Sequence, residues 1–319
     1  MQLQRLALLA AALAAAGATH AQTYPTKPIR LVISQTTGGN ADFVGRQFGQ
    51  RLAERLGQQV VADNRPGGAG VIGSETVARA SPDGYTLLLA PTSFGINPAI
   101  HAKLPYDPQR DFAPISLLAA SSAVVVLSPQ IQARTVGELV ALAKAQPGKL
   151  HFGSSGIASS NHLAGELFRY MAGIETVHVP YKGAPPALTD LLGGRIQFMF
   201  ASPPSVMALV RNGKLRAIAT TGTKRAAQLP ELPTVAESGV PGYQSTVWQS
   251  LLAPAKTPAP IIQRLHAEVA EIGRQPDLKE RLIVDGSEVI ASTPKELADH
   301  IAGEIARWTK VVKVIGLKL

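Results

Sequence analysis

A chain of 319 residues, 45% hydrophobic and only 17% charged, carries enough apolar material for two ordinary domains and is unlike a disordered or coiled-coil protein. The net charge of +9 comes from scattered Lys and Arg; the densest stretch, Arg211-Asn212-Gly213-Lys214-Leu215-Arg216, is short and lacks aromatics, which argues against a nucleic-acid partner and suits an anionic ligand. Without cysteine there are no disulfides, thiolate metal sites, cysteine nucleophiles or lipid-anchored N-terminal cysteine.

The first element is a secretory signal. Arg5 gives a positive start, Leu6 to Ala16 is apolar throughout, and Thr19 and Ala21 are small where a signal peptidase reads. This predicts a signal peptide over residues 1–21, cleavage after Ala21, and a periplasmic mature chain beginning at Gln22. The apolar run is too short for a membrane anchor, which needs about 20 apolar residues.

Ile29 to Ser34 reads as a buried strand, and Ala41 to Leu56 as a helix with Val44, Phe48, Leu52 and Leu56 on one face and Gly57 closing it. Val60 to Ala62 and Tyr85 to Ala90 are further strands. Gly67-Gly68-Ala69-Gly70-Val71-Ile72-Gly73 follows Asn64-Arg65-Pro66 and matches no phosphate-binding fingerprint, so it reads as a structural loop. The pattern restarts at the strand Ala123 to Leu127. A helix opened by the capping box Thr135-Val136-Gly137-Glu138 stops at Gln146-Pro147-Gly148. Strands Leu150 to Gly153, Thr176 to Val179, Ile196 to Phe200 and Leu215 to Thr220 follow, with helices between them; one runs from Ser160 to Ala172. The rest is more helical, with Ile261, Leu265, Val269 and Ile272 marking one helix and Thr293, Pro294 and Glu296 capping a long last one.

This alternation predicts an α/β protein with mostly parallel sheet. Its two lobes are expected at residues 22–121 plus 246–319 and at 122–245, joined by crossovers near Ser121 and along the extended Thr246 to Pro254 stretch.

Each lobe contains one strand–loop–helix junction rich in Gly, Ser and Thr. The first runs Ser34-Gln35-Thr36-Thr37-Gly38-Gly39-Asn40 and the second Ser154-Ser155-Gly156-Ile157-Ala158-Ser159-Ser160. A helix start leaves unpaired N–H groups and partial positive charge, glycine lets an anion approach the backbone, and hydroxyls add donors. Such loops lie at the carboxyl ends of parallel strands, where ligands bind. Either loop taken alone reads equally as ordinary turning and capping. Thr36, Thr37, Gly38, Gly39, Asn40, Ser155, Gly156 and Ser159 are candidate ligand residues. Ser93 and Phe94 on the rim of lobe one join them, as do Ala201 and Ser202 on that of lobe two. His162, in the first turn of its helix, is a structural or ligand-contacting histidine before it is a catalytic base, since Gly153-Ser154-Ser155-Gly156 is not a nucleophile elbow. Trp248 could wall a pocket but reads as packing. No metal motif is present, and no metal or cofactor is expected.

Six runs together resemble the Bug-type solute-binding receptors of tripartite tricarboxylate transporters. They are Tyr24-Pro25-Thr26-Lys27-Pro28-Ile29-Arg30, Asn64-Arg65-Pro66-Gly67-Gly68-Ala69-Gly70, Pro82-Asp83-Gly84-Tyr85-Thr86-Leu87, Leu104-Pro105-Tyr106-Asp107, Val179-Pro180-Tyr181-Lys182-Gly183 and Leu232-Pro233-Thr234-Val235-Ala236-Glu237. The resemblance covers nearly all of the mature chain. It implies a type II-like periplasmic binding protein, two α/β lobes with a hinged cleft. A ligand carboxylate would be held, often through water, by Thr37, Gly38, Gly39, Ser155, Gly156, Ser159 and His162. It further implies a monomer that is not an enzyme, takes a di- or tricarboxylate or an aromatic acid, and delivers it to integral-membrane transporter subunits. Two departures stand out. Ser34 and Gln35 replace a Pro and an aromatic, and Ala201 replaces an Asp, which disfavours ligands bearing an amino group. Two rival functions share these residues: a secreted hydrolase using Ser155 and His162, and a ligand-dependent partner of a membrane sensor.

Overall fold

The structure, a computed structural model, describes residues 24–157, 159–284 and 286–316. The predicted signal peptide lies outside the described residues. Strands β1 (Ile29–Ile33), β2 (Val60–Asn64), β3 (Thr86–Pro91), β4 (Phe112–Ser122), β10 (Thr246–Pro254) and β11 (Ser287–Val289) form one sheet, in the order β11-β4-β10-β3-β1-β2. Strands β5 (Val124–Leu127), β6 (His151–Ser154), β7 (Val177–Pro180), β8 (Phe198–Ala201) and β9 (Arg216–Thr220) form a second, in the order β7-β6-β8-β5-β9.

The helices are α1 (Asn40–Leu56), α2 (Val71–Ala78), α3 (Ser93–Ile100), α4 (Val136–Ala145), α5 (Ser160–Ala172), α6 (Ala184–Leu192), α7 (Pro203–Arg211), α8 (Ala259–Arg274), α9 (Pro276–Val284) and α10 (Pro294–Ile315). No helix among the described residues is long and apolar enough to cross a membrane.

Both sheets are covered on both faces, and strand periodicity sorts the side chains between them. Ile29, Leu31 and Ile33 face α1 and α8, where they meet Val44, Phe48, Leu265 and Val269. Val32, between them, faces the other way, toward Val77, Phe94 and Leu297. In the second sheet Val125 and Leu127 join Leu139 and Leu163, while Val124 and Val126 join Leu191 and Val206.

The sheets are mixed rather than mostly parallel. β1 runs parallel to β2 and β3, and β6 parallel to β7 and β8, but β10 is antiparallel to β3 and β4, and β5 antiparallel to β8 and β9. The reason is the crossover. A strand arriving from the other lobe enters its sheet from the cleft edge, opposite in direction to the strands that end there. Thr246–Pro254 is therefore a strand inside the first sheet as well as the return path, and only Ala123 separates β4 from β5. The loop at 67–73 also differs from expectation: Gly68–Gly70 is a 3-10 turn, and α2 begins at Val71.

Capping follows the sequence closely. Gly57 adopts φ +68° and donates its N–H to Ala53 O, while Thr293 and Glu296 complete a capping box on α10.

α10 spans the junction of the lobes. Leu297 and Ile301 pack in the core of the first sheet, whereas Trp308, Val311 and Val312 enter the core of the second. Glu304, only 4% exposed, lies between these halves. Its Oε2 accepts from Trp248 Nε1 at 3.1 Å and Trp308 Nε1 at 3.2 Å, and its Oε1 accepts from Arg307. Removing it strands two indole donors and a guanidinium. Glu304→Leu should cost about 3–5 kcal/mol, the usual loss when one member of a buried ionic network is deleted, and Glu304→Gln less; urea unfolding midpoints measure both.

Candidate functional site

Two cavities meet where the lobes face each other. The larger, about 550 Å³, is walled by Thr36, Gly39, Asn40 and Ser93 from the first lobe and by Ile157, Ser159 and Ser160 from the second. The smaller, about 190 Å³, lies beyond it, among Ser155, Asn161, Met199, Ala201 and Ser202. They share Ser160 and Val247, so together they form one cleft with a deep end. No Lys, Arg, His, Asp or Glu is among the described residues lining either.

Helix starts replace ionised side chains. α1, α3, α5 and α7 all begin on the cleft. The N-cap residues of three of them, Gly39, Thr92 and Ser202, make no side-chain capping bond. α1 and α5 are drawn hard onto their sheets by a glycine at the sixth position of each. A Cβ on Gly45 would lie 2.8 Å from Leu89, and one on Gly165 would lie 2.2 Å from the Phe152 ring. These close approaches seat both helix N-termini at the sheet edges that face the cleft.

The predicted site residues separate into two groups. Thr36, Gly39, Asn40, Ser93 and Ser159 wall the larger cavity, and Ser155, Ala201 and Ser202 the smaller. Thr37, Gly38, Gly156, Phe94 and His162 line neither.

Four of these five have a local cause. The Gly38 N–H donates to Asp42 Oδ2 at 2.9 Å and the Gly156 N–H to Ser154 Oγ at 3.2 Å, so both amides serve their own turns. Phe94 is 1% exposed, stacked on Tyr106 and edge-on to Phe112 in the core. His162 is 4% exposed and lies against His178, with ring centroids 3.8 Å apart.

The two loops are braced from behind. Asp42 accepts from Gly38, Arg46 and Asn64; burial alone would raise its carboxyl pKa, but these hydrogen bonds and the Arg46 charge outweigh it and hold it below the ordinary range. In the second lobe His178 Nε2 lies 2.6 Å from Ser154 Oγ, which in turn holds the Gly156 turn. Phe152 packs against both imidazoles, and Glu166 Oε1 stands 3.8 Å from His162 Nε2 while its Oε2 pairs with Arg169.

Sequence reading missed Asn161. Its Oδ1 gathers the Ser155 N–H at 3.3 Å, the Ser155 hydroxyl at 2.9 Å and the Ser159 hydroxyl at 2.6 Å. The Ser155 N–H and hydroxyl therefore converge on one oxygen at the cleft surface, while the Ser159 hydroxyl has one proton to divide between that oxygen and Gly156 O, also 2.6 Å away.

Gln249, on β10, also lines the larger cavity and donates to Asn40 Oδ1 at the start of α1. Ser121, Ser122, Ser245 and Val247 come from the ends of β4 and β10 and their approaches. Their signal was available, because a crossover between two lobes must run along the back of the cleft. Ala69 adds its wall from the 3-10 turn, where its carbonyl accepts from Ser93 Oγ at 2.6 Å.

Among the described residues Ser155 and His162, the pair a hydrolase would use, are not shown bonded to each other. The Ser155 hydroxyl is directed to Asn161, and the serine that meets an imidazole, Ser154, is fully buried.

A cleft between two α/β lobes, walled by helix starts and with no ionisable side chain among its described lining residues, defines a bilobed solute-binding protein. The chain belongs to the tripartite tricarboxylate transporter family receptors (TctC), whose model matches residues 44–317. It is similar to BugT of Bordetella pertussis, at 35% identity over 301 residues, covering 94% of this chain and 92% of that protein. Among solved structures, Rpa4515 of R. palustris with adipate superposes with a TM-score of 0.77 at 35% identity, over 92% of this chain and 99% of that one. MatC of Rhodopseudomonas palustris with bound malate gives 0.74 at 30% identity, over 91% and 100%.

The histidine pair makes stability depend on pH. Burial foremost lowers both imidazoles from 6.5 to about 4; the neighbouring His178 and Arg169 add to this for His162, and Arg169 for His178. The unfolded chain takes up these protons near 6.5 and the folded chain only near 4. Their contribution is complete above the upper value and is lost as pH falls toward the lower. The melting temperature should drop across that window. In His162→Phe/His178→Phe the slope should be flatter, with the remainder carried partly by His300, whose pKa burial also lowers.

Proposed function

We propose that this chain is exported behind a signal peptide cleaved after Ala21 and works in the periplasm as the monomeric receptor of a tripartite tricarboxylate-type transporter. It binds a small organic acid and performs no chemistry on it. The lobes of the proposal are residues 22–121 with 246–319, and 122–245. This division is supported by the passage of the chain between the sheets at Ala123 and again before β10.

The observation that carries the reading is the cleft itself: α1 and α5 begin on opposite walls of one cavity of about 550 Å³ whose described lining residues include no basic side chain. A carboxylate there meets peptide N–H groups and hydroxyls from both lobes. Adipate in Rpa4515 and malate in MatC are acids of suitable size for such a cleft.

Micromolar affinity requires about 8 kcal/mol. One helix terminus supplies only about 0.3–2 kcal/mol. The remainder must come from closure over the ligand, and Ile157, 60% exposed on the second-lobe wall, is apolar surface available for burial.

Short-chain and aromatic carboxylates should raise the melting temperature of the mature protein, and mass spectrometry should find such an acid travelling with it. No stabilisation by any acid at millimolar concentration, with no acid co-purified, refutes the reading. Asn161→Ala should weaken binding of a stabilising acid by about 1–3 kcal/mol, since it releases the Ser155 N–H and hydroxyl from their fixed orientation, while leaving the unliganded melting temperature within a few degrees.

A further inference from the structure

We infer that the ring tautomer of His178 decides whether the Ser159 hydroxyl is turned toward a bound acid, which makes His178 a positioning residue for capture. The inference rests on the carboxylate reading of the larger cavity, whose wall includes Ser159. His178 is not among the described residues lining either cavity, so it acts through others.

A run of hydrogen bonds joins the two residues, and each hydroxyl in it has one proton and two acceptors. Ser154, fully buried, has Gly156 O at 3.0 Å and His178 Nε2 at 2.6 Å, while the Gly156 N–H, at 3.2 Å, takes one of its lone pairs. Ser159 has Gly156 O and Asn161 Oδ1, both at 2.6 Å. The Gly156 carbonyl is the member they share. It has two lone pairs, and the Ser159 N–H, at 3.3 Å, claims one. The other goes to whichever hydroxyl is turned to it.

His178 breaks the tie. A neutral imidazole carries its proton on one nitrogen only. Burial foremost, with the Arg169 charge, lowers the pKa of this ring from 6.5 to about 4, so it is neutral at neutral pH and both tautomers are open to it. With the proton on Nε2, the ring donates to Ser154 Oγ, and the Ser154 proton has only Gly156 O left to meet. That fills the carbonyl and turns the Ser159 hydroxyl away from it, toward Asn161 Oδ1 and the cleft. With the proton on Nδ1, the bare Nε2 draws the Ser154 proton to itself. Gly156 O then takes its second bond from Ser159, and a donor on the cleft wall is withdrawn. The oxygens of a carboxylate only accept, so a bound acid selects the first state.

The test is calorimetric titration of adipate and malate into the mature protein and its variants, with nitrogen NMR spectra of the imidazoles. His178→Phe removes the competing acceptor and leaves the Ser154 proton on Gly156 O, so the better-bound acid should bind at least as tightly as to the unaltered protein. Ser154→Ala leaves Gly156 O to Ser159 and should weaken binding by roughly fivefold, the worth of one neutral hydrogen bond. Adding His178→Phe to Ser154→Ala should change nothing further. A histidine that only braced the loop would weaken binding when replaced by Phe, and that result overturns the inference. In the spectra, the resonance that disappears in His178→Phe should move toward the Nε2-protonated form when acid is added. Ser159→Ala removes the rival hydroxyl, so the same resonance should move that way with no acid present; an unmoved tautomer overturns the relay. If neither acid binds, that counts against the carboxylate reading, and the Ser159→Ala spectrum decides the relay by itself.

Discussion

An acid has to leave water and enter a cleft whose described walls offer it no ionised partner. Everything positioned around the cleft answers that constraint. Peptide N–H groups at helix starts carry the compensating charge, and they are useful only if held at fixed points on facing walls. The close seating of α1 through Gly45 and of α5 through Gly165 fixes them along the sheets. Asp42 with Arg46 and Asn64, and Ser154 with His178, fix the turns that precede them. The ionisable groups near the site therefore act as bracing behind the loops, while the wall that meets the ligand is neutral. Uncharged walls have a further effect: the field inside the cleft is short-ranged, so the net charge of +9 spread over the surface attracts anions without choosing among them.

Much of the fold was legible because the physics is local. β1, α1, β3 and α5 show period-2 or period-3.6 patterns with glycine or hydroxyl punctuation, and their predicted limits agree with the observed ones to within a residue or so. The missed elements fail that test for identifiable reasons. α3 carries Pro98 inside it and α7 opens on two prolines, which break helical periodicity on paper. β4 was missed: it ends one residue short of β5, the strand read from sequence at Ala123 to Leu127, and no turn residue marks the boundary. The mixed strand directions follow from the path of the crossovers, a tertiary property that no window of sequence contains.

The candidate site was legible in outline. A Gly- and Ser-rich loop ahead of a helix marks the right corner of the fold but not which of its atoms face outward. Gly38 and Gly156 look like the natural anion contacts, yet their amides close their own turns. Phe94 and His162 turn inward because each lies in the first turn of its helix on the face that packs into the core. Asn161 is invisible in sequence because its importance is convergence, the Ser155 N–H and hydroxyl meeting on one oxygen with the Ser159 hydroxyl close by, and convergence exists only in three dimensions.

The anchoring of α10 in both cores has a mechanical consequence. A rod gripped at Leu297 and Ile301 by one lobe and at Trp308, Val311 and Val312 by the other cannot be pulled apart lengthwise without exposing two indoles. Any change in the angle between the two sheets has to be absorbed around this helix, where Glu304 ties Trp248 of β10 to Trp308 and where Ile96 and Ile100 of α3 share a core with Trp308, Val311 and Val312.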